Sequence, residues 1–161
     1  MSKKVFHPIK PLYDENSKIL ILGSFPSQKS REQGFFYGHP QNRFWKVLSI
    51  IFKSDEPKTV EAKKRFLLSN NIAVWDVIAS CEIVGSSDSS IKNVVANDLG
   101  VILSNANIKN IYVNGKTAEK YYNKYLKDEL GVIAYCLPST SPANAAWSVE
   151  RLTDAWRIIV E

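Results

Sequence analysis

A chain of 161 residues that is 45% hydrophobic is long enough for one domain with a full core and too short for two ordinary ones. No stretch approaches the roughly 20 apolar residues that span a bilayer, and Met1-Ser2-Lys3-Lys4 is followed by polar residues and prolines rather than an apolar signal block, so a cytoplasmic protein with no membrane partner is expected. The 21 Lys and Arg outnumber the 16 Asp and Glu for a net charge of +5, which favours encounter with a polyanion without identifying one.

The first 15 or so residues, with Pro8 and Pro11, read as an irregular arm in which His7 has no assigned role. Lys18-Ile19-Leu20-Ile21-Leu22 then runs into Gly23-Ser24-Phe25-Pro26-Ser27. That is the sequence form of a buried parallel strand whose carboxyl end opens a ligand crevice. Next, Gly34-Phe35-Phe36-Tyr37-Gly38-His39-Pro40 sets three aromatics and two glycines before a proline. The pattern predicts an aromatic-floored pocket with the Asn42 amide at its edge. A helix is expected over 41–52, with Phe44, Val47, Leu48 and Ile51 on one face. Another is expected from near Pro57 to Asn70-Asn71.

Ile72-Ala73-Val74-Trp75 reads as the second strand, leading through Asp76-Val77-Ile78 to a Gly/Ser-rich loop at 85–90. Asn97 or Asp98 suits the cap of a helix ending near Asn105. A third strand over 108–113 ends in Asn114-Gly115-Lys116, and a helix over 117–126 follows. The fourth strand, 132–137, ends in a loop from Pro138 to Asn144, and Ser148 opens a last helix carrying Leu152, Trp156 and Ile159. Four strands alternating with helices predict an α/β fold whose parallel sheet is covered on both faces. Its ligand belongs at the carboxyl ends of the strands. Two cysteines, Cys81 and Cys136, are too few for a disulfide framework and, beside apolar runs, read as buried thiols.

Five segments in order, GSFPS at 23–27, GFFYGHPQNRFW at 34–45, VWDVIASCEIVGSSDSSI at 74–91, VNGKTA at 113–118 and LPSTSPANA at 137–145, resemble the uracil-DNA glycosylase superfamily. The resemblance covers nearly the whole chain and is greatest to the hypoxanthine-DNA (deoxyinosine) glycosylase branch. GHPQNRFW also resembles the mismatch-specific uracil glycosylases; the pairing of GSFPS with STSPAN points to the deoxyinosine branch. The resemblance implies a three-layer α/β/α sandwich with a four-stranded parallel sheet. It also implies a monomer that hydrolyses an N-glycosidic bond in DNA containing a deaminated base, without metal or other cofactor. Hypoxanthine and uracil both fit, since each offers a carbonyl and a ring N–H. Two other classes stay open. One is a noncatalytic nucleic-acid-binding module of the same fold. The other is an enzyme acting on a free nucleoside, disfavoured by the lack of a Walker-type lysine loop or a GxGxxG run.

A base inside a duplex has to be extruded, stacked, read at its edge and attacked by water at the sugar. The resemblance places the stacking aromatic at Tyr37, or else Phe36, and makes Gly23, Ser24 and Phe25 the first loop of the base pocket. Stacking supplies about 1–3 kcal/mol per base whatever the base. Asp76 matches a base-reading position; a carboxylate accepts from a ring N–H but donates only when protonated. A helix cap or a cation's partner is its alternative role. Phe25 stands where other branches carry Asp or Asn to orient water, which makes Asn42 the catalytic candidate, with simple N-capping as the alternative. His39 either shapes the turn or joins the chemistry. Ser139, Ser141 and Asn144 match the superfamily's second signature loop, expected to grip phosphates with Lys116 adding charge. Ala143 is small where a wedge is often large, leaving insertion to Asn144 or another loop; the bland reading of the segment is a proline-rich turn.

Overall fold

The computed structural model describes residues 2–161. Its strands are β1 (Lys3–Phe6), β2 (Ile19–Gly23), β3 (Ile72–Asp76), β4 (Ile78–Ile83), β5 (Lys92–Ala96), β6 (Asn110–Asn114) and β7 (Ala134–Leu137). Its helices are α1 (Gln28–Gln33), α2 (Phe44–Ile51), α3 (Val60–Ser69), α4 (Gly100–Leu103), α5 (Lys116–Tyr125), α6 (Lys127–Leu130) and α7 (Val149–Trp156).

Strands β3-β2-β6-β7, in that order, make a parallel sheet. Alternate residues of each strand feed different cores. Ile21, Ile72, Val74 and Tyr112 face a layer built from α2, α3 and α7, while Leu20, Leu22, Ala73, Ile111 and Val113 face one containing α4 and α5. Strands buried on both faces therefore read as unbroken apolar runs. Full burial of Leu152 and Trp156 seats α7 against α2, each side chain of this kind adding about 1.5–3 kcal/mol. The result is the three-layer α/β/α arrangement.

Three features depart from the expectations. Residues 79–84 and 92–96, to which no strand was assigned from the sequence, do not stay irregular on either side of the 85–90 loop. They make an antiparallel hairpin, β4 and β5, with 85–90 in its turn. The arm is not irregular throughout: β1 pairs with β4 from Lys3↔Ile83 to Phe6↔Ser80 and completes a second sheet of order β1-β4-β5, while Met1 lies outside the described residues. Cys81 is buried as expected, but Cys136 is exposed, because it lies on β7 at the edge of the parallel sheet.

The helix starts also shift. α3 begins at Val60 rather than near Pro57, with Thr59 capping it by accepting from the Ala62 N–H at 3.1 Å, and α2 begins at Phe44 because Asn42 Oδ1 accepts the Phe44 N–H at 2.9 Å. Ser148 caps α7 as predicted, its hydroxyl accepting from the Arg151 N–H at 3.2 Å. Among the described residues, no helix is long and apolar enough to cross a membrane.

Candidate active site

The carboxyl ends of the parallel strands open onto one cavity of about 460 Å³. Gly23 and Asp76 are register partners at the ends of β2 and β3, and Asn114 and Leu137 at the ends of β6 and β7. Since Ile72 and Val74 face the α2 layer, the strand alternation puts Asp76 on the same side. Gly23, Ser24, Phe25, Tyr37, His39, Asn42, Asp76, Ser139 and Ser141 all line this cavity. Lys116 and Asn144 stand outside the lining, Lys116 exposed as the first residue of α5.

Asp76 forms the floor and is 4% exposed. Its Oδ2 lies 2.7 Å from Nε2 of His7, which arrives from the end of β1. His7 was the residue to which the sequence attached no role, and nothing local marked it. Asn97 pins the backbone behind the floor, its amide donating to the Asp76 and Ile78 carbonyls at 2.9 and 3.2 Å.

Both Phe35 and Phe36 are buried, but only Phe36 reaches the cavity. Tyr37 is held in a left-handed conformation, φ +52°, at a cost on the order of 1–3 kcal/mol. Trp45 Nε1–H donates to its carbonyl at 3.1 Å, and its ring stacks on Phe44 with centroids 3.9 Å apart. The Tyr37 hydroxyl is buried and has no hydrogen-bond partner among the described residues. Burial first, and then the Asp76 charge, push its phenol well above the ordinary value.

The rim is held by two arginines. Arg43 donates to four carbonyls of the 140–147 segment: Thr140 at 3.3 Å, Ser141 at 2.7 Å, Asn144 at 3.0 Å, and Trp147. Its rigid fork of donors suits this clamping, which a lysine cannot reproduce. Arg31 clamps the first loop by donating to Pro26 O at 2.7 Å and Gly85 O at 3.3 Å, with its guanidinium 5.5 Å from the Phe25 ring centroid. Neither arginine was singled out from the sequence. For Arg43 the signal was a lone cation inside the otherwise uncharged GFFYGHPQNRFW.

Asn114 joins β6 to the second loop, donating to Thr140 Oγ1 at 3.0 Å and accepting the Thr140 N–H at 3.1 Å. Gly115 lets the two approach, at φ +96° and with an added Cβ only 3.0 Å from Ser139 Cβ. Ser139 and Ser141 hydroxyls accept from the Ser141 and Ala143 N–H groups at 3.1 and 3.2 Å. Each keeps its own proton to donate. The Asn144 amide is folded back onto Ser139 O at 3.0 Å, so insertion by that side chain requires breaking this bond. Asn42 is half-buried, with its carbonyl on the Phe44 N–H, and capping therefore accounts for only one end of the amide. His39 Nδ1 accepts the Gln41 N–H at 3.1 Å, which fits the turn-shaping role.

Comparison with known proteins agrees with this geometry. The family model described as the Uracil DNA glycosylase superfamily matches residues 10–159. A protein of Methanosarcina barkeri named hypoxanthine DNA glycosylase is 34% identical over 146 residues, 89% of each chain. One of the same name from Methanosarcina acetivorans is 34% identical over 148 residues, covering 91% of this chain and 92% of that one. A solution NMR structure from Methanosarcina acetivorans, provisionally described as a uracil DNA glycosylase, superposes with a TM-score of 0.78 at 30% identity, over 95% of this chain and 97% of that one. Sequence, sheet order and the loops at the carboxyl edge thus agree: the chain belongs to the uracil DNA glycosylase superfamily and is a DNA glycosylase, a hydrolase of N-glycosyl bonds.

Proposed function

We propose that this glycosylase acts as a monomer on deaminated bases in DNA, with hypoxanthine the preferred one. The observation that carries the reading is the convergence of an acceptor floor, aromatic walls and a hydroxyl-bearing loop on one cavity. The two relatives named hypoxanthine DNA glycosylase point to the same base.

The residues divide the work as follows. Ser139, Ser141 and Lys116 hold phosphates beside the target nucleotide, and the extruded base enters between Phe25, Phe36 and Tyr37. Asp76 Oδ1, the oxygen left free by His7, accepts the ring N–H. The glycosidic bond breaks largely before water attacks, so stabilising the departing base matters more than a strong general base. Asn42 at the rim orients the water that captures the oxocarbenium-like sugar. Among the described residues no group of three or more His, Cys, Asp or Glu side chains is arranged to hold a metal ion, and every step here uses side chains alone.

The test is release of free base from labelled duplexes containing deoxyinosine, deoxyuridine or deoxyxanthosine, with and without chelator. Hypoxanthine should be released fastest, at the same rate in both. Absence of release from all three, or activity that disappears with chelator and returns with a divalent ion, overturns the proposal.

A further inference from the structure

We propose that His7 is a specificity-determining positioning residue: by donating its Nε2 proton to Asp76 it fixes the free carboxylate oxygen as an acceptor, so that the pocket takes bases carrying a ring N–H and rejects adenine and cytosine. The inference rests on the glycosylase reading and extends it to how damage is told from the parent base.

The tautomer follows from two contacts. The Ile9 backbone N–H points at His7 Nδ1 at 3.2 Å. A backbone N–H only donates, so Nδ1 is the acceptor and the ring proton is on Nε2, aimed at Asp76 Oδ2 at 2.7 Å. The pair is shut away from water, with side chains 3% and 5% exposed. The imidazole is walled by Phe25, Phe36 and Trp75, with ring centroids 5.9, 6.2 and 6.2 Å away. The backbone of β1's end is itself tied down, the His7 N–H donating to Ala79 O at 2.8 Å. A hydrogen bond to a charged acceptor is roughly twice as strong as a neutral one. The carboxylate is therefore held in one orientation, with Oδ1 against Gly23 at the cavity floor.

Deamination makes that orientation informative. Conversion of adenine to hypoxanthine replaces an amino group by a carbonyl and turns a bare ring nitrogen into a ring N–H; conversion of cytosine to uracil does the same. A fixed acceptor bonds the product in each case and meets the lone pair of the parent. Sites built around a buried hydrogen bond reject a partner that cannot make it far better than apolar pockets reject a size difference. Guanine already carries a ring N–H, so its exclusion lies elsewhere in the cavity.

The experiment compares duplex affinity for uncleavable 2′-fluoro-arabino inosine and 2′-fluoro-arabino adenosine nucleotides in the full chain, His7→Ala and His7→Gln. In His7→Ala the inosine-to-adenosine affinity ratio should fall by about tenfold or more, with binding to undamaged DNA unchanged. His7→Gln, whose amide can accept from Ile9 and donate to Asp76, should restore the ratio to within about threefold. A folded His7→Ala protein with the parental ratio overturns the proposal. If His7→Ala does not fold, nitrogen NMR of the parent imidazole decides: the neutral Nε2-protonated form is required, and an Nδ1-protonated ring overturns it. Base release by the parent protein is scored separately. A parent that discriminates inosine but cleaves nothing removes the glycosylase reading, whereas a cleaving parent with a His7-insensitive ratio removes only the role of His7.

Discussion

Gly23 and Asp76 are so close at the cavity floor that a Cβ added to Gly23 would stand 2.4 Å from Asp76 Oδ1 and 3.2 Å from the Tyr37 hydroxyl. The absence of a side chain at position 23 is what lets the Asp76 carboxylate, proposed to read the base, lie flat against the end of β2. Gly23→Ala should displace Asp76 and lower single-turnover cleavage of deoxyinosine DNA by about 100-fold, the scale of a 1 Å misplacement, with little change in affinity for undamaged duplex. Cleavage at the parental rate would show that the carboxylate position is not used.

Asn42 carries one duty in the fold and, under the proposed mechanism, a second that can be separated from it. Its carbonyl caps α2 through the Phe44 N–H, and loss of such a cap costs about 1 kcal/mol of stability. Loss of a preorganised group at the reacting sugar costs about 100-fold in rate. Asn42→Ala should show both, read by denaturant melts and single-turnover kinetics. A stability loss alone would reduce Asn42 to its cap.

Tyr37→Phe removes a buried hydroxyl that has no hydrogen-bond partner among the described residues. Stability near neutral pH should stay level or rise by up to about 1 kcal/mol, because the desolvation penalty goes with the hydroxyl, while hypoxanthine release falls. The pH dependence has a definite sign. The folded-state phenol lies above its ordinary value of 10.0, so the unfolded chain ionises first, and the stability present below about pH 10 is lost as pH rises beyond it. Alkaline melts of the parent should show that loss, and Tyr37→Phe should flatten it.

Arg43 joins the start of α2 to the second loop through four carbonyls. Arg43→Lys keeps the charge but not the fork, so the 140–147 segment should loosen. Faster hydrogen exchange confined to that loop and duplex binding weaker by about tenfold are expected. Unchanged exchange there would deny the arginine its clamping role.

Lys116 stands exposed at the start of α5, beside the loop that carries Ser139. Lys116→Ala should weaken inosine-containing and undamaged duplexes by similar factors and make the slope of log affinity against log salt shallower by roughly 1. Asp76→Asn should instead reorder the excised bases with the slope intact. An altered base preference in Lys116→Ala with an unchanged slope would remove this residue from the phosphate contacts.

The sequence by itself determined the parallel sheet, the order of its loops and the end of the sheet that opens. Strands such as 19–22 and 72–75 are buried on both faces, so burial is written locally as apolar runs punctuated by Gly, Ser, Asn and Pro. The same local signals placed Tyr37, Asn42 and Asp76 at loops of that edge. Tertiary structure alone decided what each polar group faces. His7 meets Asp76 across 69 residues, Arg43 reaches carbonyls 97 to 104 residues away, and β1 pairs with β4 to turn an apparent arm into the wall behind the floor. No periodicity encodes such meetings. They depend on strand pairing and chain crossing over long separations, where a single donor finds the one acceptor that the folded sheet has already fixed in place.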